Sequence, residues 1–127
     1  MLPALPRDKH DTHRAEAIVA AGFPVVEPLL PTLFEWLRDI NWPVARTLQP
    51  LLVSVGVAAA PHVRFILNSS DDVWKYFVLA HVVAESPELA IELRHELQRI
   101  ASIPTHGELE EDVCLEARAI LSRLRSS

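Results

Sequence analysis

Asp8, Lys9, His10, Asp11 and His13 crowd six positions near the amino terminus. Imidazole nitrogens and carboxylate oxygens are common metal ligands, so His10 and His13 with Asp8 or Asp11 could hold a divalent ion. No His-Glu-x-x-His pair and no cysteine pair accompanies them. Asp11 also stands just before an apolar helical pattern, where an acid ordinarily caps a helix. The local pattern therefore reads as a solvated arm ending in a cap, and no metal or other cofactor is expected.

Binding chemistry is the second prospect. Asp39-Ile-Asn-Trp-Pro-Val is echoed by Asp71-Asp-Val-Trp-Lys-Tyr, with Trp42 and Trp74 separated by 32 residues and each three positions after an acid. Each ring has polar neighbours that could orient a partner: Arg38, Asp39 and Asn41 for the first, Asp71, Asp72 and Lys75 for the second. Aromatic side chains are favoured in binding hot spots, and they are equally suited to a core that satisfies the indole N–H. Both readings stand at this point. Asp8, Lys9, Asp11, Asp39, Asn41, Trp42, Trp74 and Lys75 are the candidate binding surface.

Catalysis finds no support. Gly22, Gly56 and Gly107 are too far apart to build a phosphate loop, and no serine lies in a nucleophile elbow. Cys114 has no basic activator nearby in sequence. His81 falls in a nearly all-apolar run, where a hydrogen-bonded core role is expected.

These residues must be positioned by helices. Asp11 caps a predicted helix over 12–21, closed by Gly22, and Leu30, Leu33, Phe34 and Leu37 form the stripe of a second helix starting near Pro28 or Pro31. Asp39 or Asn41 is expected to cap a third with Pro43 in its first turn, running through Val44, Ala45, Leu48, Leu51, Leu52 and Val55 to Gly56. A short fourth helix opens at Pro61 with Val63, Ile66 and Leu67 inward. Ser69 with Asp72 offers a capping box for a fifth, through Val73–Ala84. Ser86-Pro87-Glu88 starts a sixth with Leu89, Leu93, Leu97 and Ile100 on one stripe. Thr105 with Glu108 starts a seventh that turns Leu109, Val113, Ala117, Ile120 and Leu124 inward. No strand pattern competes.

With 127 residues, half of them apolar, the chain is predicted to be a single domain: an extended arm over 1–10 and a helical body over 11–125. Net charge is −5, and no basic cluster offers the concentrated positive face that nucleic acid needs. No uninterrupted apolar stretch approaches the roughly 18 residues of a membrane span. A proline-rich, charged amino terminus and a lone cysteine lead us to expect a cytoplasmic protein with neither membrane nor nucleic acid as partner.

The acidic turn residues and paired aliphatic stripes resemble HEAT-type helical repeats. Leu5-Pro-Arg-Asp-Lys-His-Asp11, Asp39-Ile-Asn-Trp-Pro43 and Trp74-Lys-Tyr76 also resemble the signature segments of a family of small, mostly bacterial domains of unknown function. That resemblance implies an all-α fold, a short HEAT-like α-α superhelix of about seven helices in antiparallel pairs, with no established activity. The function expected is a non-catalytic protein–protein interaction module, an immunity or adaptor protein. The alternative is a small-ligand or enzymatic pocket formed where the arm meets the Asp-Ile-Asn-Trp-Pro turn.

Overall fold

A computed structural model describes residues 1–126. Of these, 75% are helical and none lies in a strand. The α-helices are α1 (Thr12–Ala21), α2 (Leu30–Glu35), α3 (Pro43–Val55), α4 (Ala60–Leu67), α5 (Asp72–His81), α6 (Pro87–Glu92), α7 (Arg94–Ser102), α8 (His106–Glu110) and α9 (Val113–Ser126). Short 3-10 turns over Glu27–Leu29, Trp36–Arg38, Gly56–Ala59 and Val83–Glu85 link several of them.

Three predicted starts carry their expected caps. The Asp11 carboxylate accepts from the Arg14 N–H, the Ser86 hydroxyl accepts from the Leu89 N–H, and Thr105 and Glu108 form a reciprocal capping box. Gly22, at φ +70°, closes α1 in a conformation that a Cβ would disfavour.

Two other starts differ from expectation. α5 is capped by the Asp71 carboxylate, which accepts from the Trp74 N–H, whereas the Ser69 hydroxyl donates to the Ile66 carbonyl of the preceding helix. α3 has no side-chain cap at all. The Asp39 carboxylate instead accepts from the Asn41 N–H at 2.9 Å, a local turn that leaves it short of the helix. The Val44 N–H finds its acceptor in the carbonyl of Lys9, 3.1 Å away. The amino-terminal arm thus supplies by tertiary contact what neither Asp39 nor Asn41 supplies locally.

The last two expected helices are each broken in two. Leu93 separates α6 from α7, and Asp112, at φ +61°, separates α8 from α9. The second break resets the helical phase, so Leu109 faces solvent while Val113, Ala117 and Ile120 remain buried and Leu124 is half-buried. α5 likewise ends at His81 rather than Ala84, because residues 83–85 tighten into a 3-10 turn.

The predicted stripes of α2, α3, α4 and α6–α7 are buried, and they join one core. α1 packs on α3, α2 on α4, and α5 and α7 both on α9. Cys114 at the start of α9 reaches the Ala101 carbonyl near the end of α7, so these two helices run antiparallel. Pro43–Leu67 is long and apolar enough in composition to cross a membrane, with mean hydropathy 1.6. Gly56 interrupts it at φ +67°, and its apolar stripe packs inside the protein, as a core helix pair does.

Candidate functional site

The arm is fixed before any site can form on it. Asp11 accepts from the Arg7 N–H at 3.0 Å and from Arg14, and the Arg7 N–H above all holds its carboxyl below the ordinary value. Asp8 turns back to accept from the His10 N–H at 2.9 Å. Pro6 is buried, and the arm lies against the start of α3 through the Lys9 carbonyl. The arm and the Asp-Ile-Asn-Trp-Pro turn therefore do meet, but through backbone. The carboxylates of Asp8, Asp11 and Asp39 are each occupied by neighbouring backbone N–H groups.

Trp42 and Trp74, alike in sequence, are used differently. Trp42 occupies the residue before α3, is half-buried, and meets the edge of Trp36 at a centroid distance of 5.9 Å. Trp74 lies within the first turn of α5, is buried, and its indole N–H donates to the Phe34 carbonyl at 2.8 Å. The Arg38 guanidinium covers the Trp74 ring at 4.5 Å. Cys114, which stands three positions after the acid Glu111 as a degenerate third copy of the same pattern, is the second residue of α9 and is buried. The three positions thus hold different places in their helices.

Lys75 also faces inward. Its ammonium, on a residue only 3% exposed, lies 3.0 Å from Glu108 and 3.0 Å from Asp72, the latter a charge contact without hydrogen-bond geometry. Glu108 is 0% exposed, and Arg99 grips both its oxygens at 2.5 and 2.8 Å while the Thr105 N–H donates at 2.9 Å. Burial alone would push the Glu108 carboxyl up. The Arg99 guanidinium, the Thr105 N–H and the Lys75 ammonium overcome it and hold the group down to about 2. Gly107 completes the arrangement, since a Cβ there would lie 2.0 Å from an Asp72 oxygen. Every charge is matched, so this cluster locks α5 to α7 and α8 and offers nothing to a substrate.

The surface of α2 is open to solvent on two sides. On one side Leu5, Pro6, Trp36 and Trp42 line a cleft of about 280 Å³, with Thr32, Glu35 and Arg38 at its polar edge. On the other side Pro31, Pro61, His62, Phe65 and Trp74 line a second cleft of about 300 Å³, which shares Glu35 with the first. Phe65 stands 72% exposed beside it. Behind the turn, Asn41 accepts from Arg46 at 3.2 Å in a separate polar hollow with Gln49 and His81.

Of the eight candidate binding residues, only Trp42 and Trp74 line the α2 clefts, and Asn41 lines the hollow behind the turn. Arg38, named beside the first ring, lines the Trp42 cleft as well, whereas Phe65 and Trp36 were missed. Phe65 was legible as an aromatic residue off the Val63–Ile66–Leu67 stripe. Trp36 became visible only once α2 tightened into a 3-10 turn. Among the described residues, no three His, Cys, Asp or Glu side chains come together as a metal site would require.

None of the curated proteins is detectably similar to this chain. Its sequence does match a family profile over residues 4–121, nearly its whole length, and the chain belongs to the family described as a domain of unknown function, DUF5071.

Proposed function

We propose that this protein is a non-catalytic protein–protein interaction module with a HEAT-like arrangement of stacked helices, and that the α2 face receives the partner. The antiparallel run of α7 and α9, with α5 packed on α9, supports the stacking. The observation that carries the binding reading is Phe65, 72% exposed at the lip of one of two apolar clefts that flank α2. A large aromatic left in water beside proline- and tryptophan-lined clefts is the composition of an interface core. The net charge of −5 suits a basic partner, as an immunity or adaptor role would require. The test is capture from the native host with wild type, Phe65→Ser and Trp42→Ala proteins of matched helicity. A protein retained by wild type and lost from both variants is expected. If everything retained by wild type is also retained by both variants, the α2 face is not the docking surface.

The second reading is a small-ligand or enzymatic pocket between the arm and the turn. It is favoured by Leu5, Pro6 and Trp42 lining one cleft, with the Lys9 carbonyl bonded to Val44 beside it. Its polar members diverge, however: Asp8, Lys9, Asp39 and Asn41 lie outside that cleft. A pocket built without them has an apolar wall, one glutamate and one arginine, which suits contact with a side chain better than chemistry.

A further inference from the structure

Away from α2, the molecule carries a face of different chemistry. A groove of about 940 Å³ runs between α7 and α9, with Arg94 on one wall and Arg118 and Arg125 on the other. Leu121, 9% exposed, and the half-buried Ala101 and Leu124 form its apolar floor. The remaining lining side chains are neutral, and among the described residues no carboxylate borders it, in a chain whose net charge is −5. The Arg118 side chain donates to the Ala101 carbonyl at 3.2 Å, whereas the side chains of Arg94 and Arg125 make no hydrogen bond or ion pair within the described residues.

Helix chemistry explains only one of the three cations. Arg125 sits in the last turn of α9, where the dipole favours positive charge. Arg94 is the first residue of α7, where the dipole opposes it, and Arg118 is in mid-helix. Three like charges around one groove repel one another, and an anionic occupant would relieve that repulsion.

We propose that this groove binds an acidic amphipathic helix of a protein partner. Arg118 and Arg125 are seven residues apart, about 10 Å along α9. One phosphate cannot span them, but glutamates at heptad spacing on a docked helix can. Aliphatic side chains between those glutamates match the floor of Ala101, Leu121 and Leu124, as in other helix-in-groove contacts. Extended nucleic acid would meet the negative remainder of the surface. The proposal uses no residue of the α2 face and stands apart from it.

The probe is a fluorescein-labelled helical peptide with glutamates at seven-residue intervals and leucines between them, followed by anisotropy against the full chain. Saturable binding that weakens with salt is expected, at least about tenfold weaker for Arg94→Glu/Arg125→Glu and unchanged for Phe65→Ser. If the charge reversal alters melting, Arg94→Gln/Arg125→Gln takes its place. Equal binding of a peptide with glutamine for glutamate overturns the proposal, as does equal binding by the variant or none up to about 1 mM. Inorganic phosphate displacing the peptide at matched charge also overturns it. So does retention of phosphatidylserine vesicles or an oligonucleotide, but not the peptide, in an arginine-dependent manner.

Discussion

The turn at 39–44 and the turn at 71–76 begin from nearly the same residues and are put to opposite uses. In the second, Asp71 caps α5, the Trp74 indole N–H donates to the Phe34 carbonyl of α2, and Lys75 neutralises a buried glutamate from α8. In the first, Asp39 closes a local turn, the helix cap comes from the arm, and Trp42 stays half-buried against Trp36 at the wall of an open cleft. An acid followed by a tryptophan three residues later therefore fixes a bend and a ring. It does not fix whether the ring is an anchor or a surface. That depends on what lies opposite: the Phe34 carbonyl accepts from the Trp74 indole and Glu108 takes up the neighbouring Lys75, whereas Trp42 meets only the edge of another ring at an open cleft.

The sharpest way to break this contrast is to truncate each ring. Trp74→Ala should lower stability by about 3–5 kcal/mol, the usual range for deleting a buried aromatic, and it also removes the hydrogen bond to the Phe34 carbonyl. Trp42→Ala should cost clearly less, because part of its ring is already in water. Urea unfolding of the two proteins decides it. Equal losses would mean that Trp42 is as much an anchor as Trp74.

Acid should strike the buried cluster beside the second turn. Glu108 has its folded pKa depressed from 4.5 to about 2, so its stabilising contribution is complete above pH 4.5 and is lost as pH falls toward 2. The difference corresponds to the order of 3 kcal/mol. Melting followed from pH 6 down to pH 2 should show that loss in wild type. It should be much reduced in Glu108→Gln, which is already destabilised at neutral pH because Lys75 and Arg99 lose their shared carboxylate. A wild-type and variant pair that lose stability in parallel would show that other carboxylates govern the acid limb.

The two acids separate on a smaller scale. Asp71→Ala removes a helix cap and should cost about 1 kcal/mol. Asp39→Ala removes one bond in a loop turn, and about half of that is expected from an exposed hydrogen bond. Thermal melts resolve this difference, and a larger loss at Asp39 would mean that its turn, rather than the Lys9 carbonyl, holds the start of α3.

Much of this fold was legible in the sequence because burial follows helical period. The stripes through Leu30–Leu37, Val44–Val55 and Leu89–Ile100, and the caps at Asp11, Ser86 and Thr105, needed only local rules. The site was much less legible. An aspartate three residues before a tryptophan looks the same whether it caps a helix or closes a turn. Lys75 looks like a surface lysine because its partner, Glu108, is 33 residues away. The break at Asp112 is a single left-handed residue with no glycine to announce it, and it alone turns Leu109 outward. Long-range pairing and helix phase are set by tertiary packing, which local spacing does not encode.

The smallest stability effect carries the most information about binding. Phe65→Ser should lower stability by no more than about 0.5 kcal/mol, since the residue stands mostly in water. A core role would require a larger loss, and an idle surface role would leave partner capture unchanged. A near-silent melt combined with lost capture is the one result that separates an interface residue from both. Repeating it in the Trp42→Ala background then tells whether the two clefts beside α2 act on one partner. If they do, the combined loss in affinity falls short of, or exceeds, the sum of the single losses, as it does for residues that share one contact.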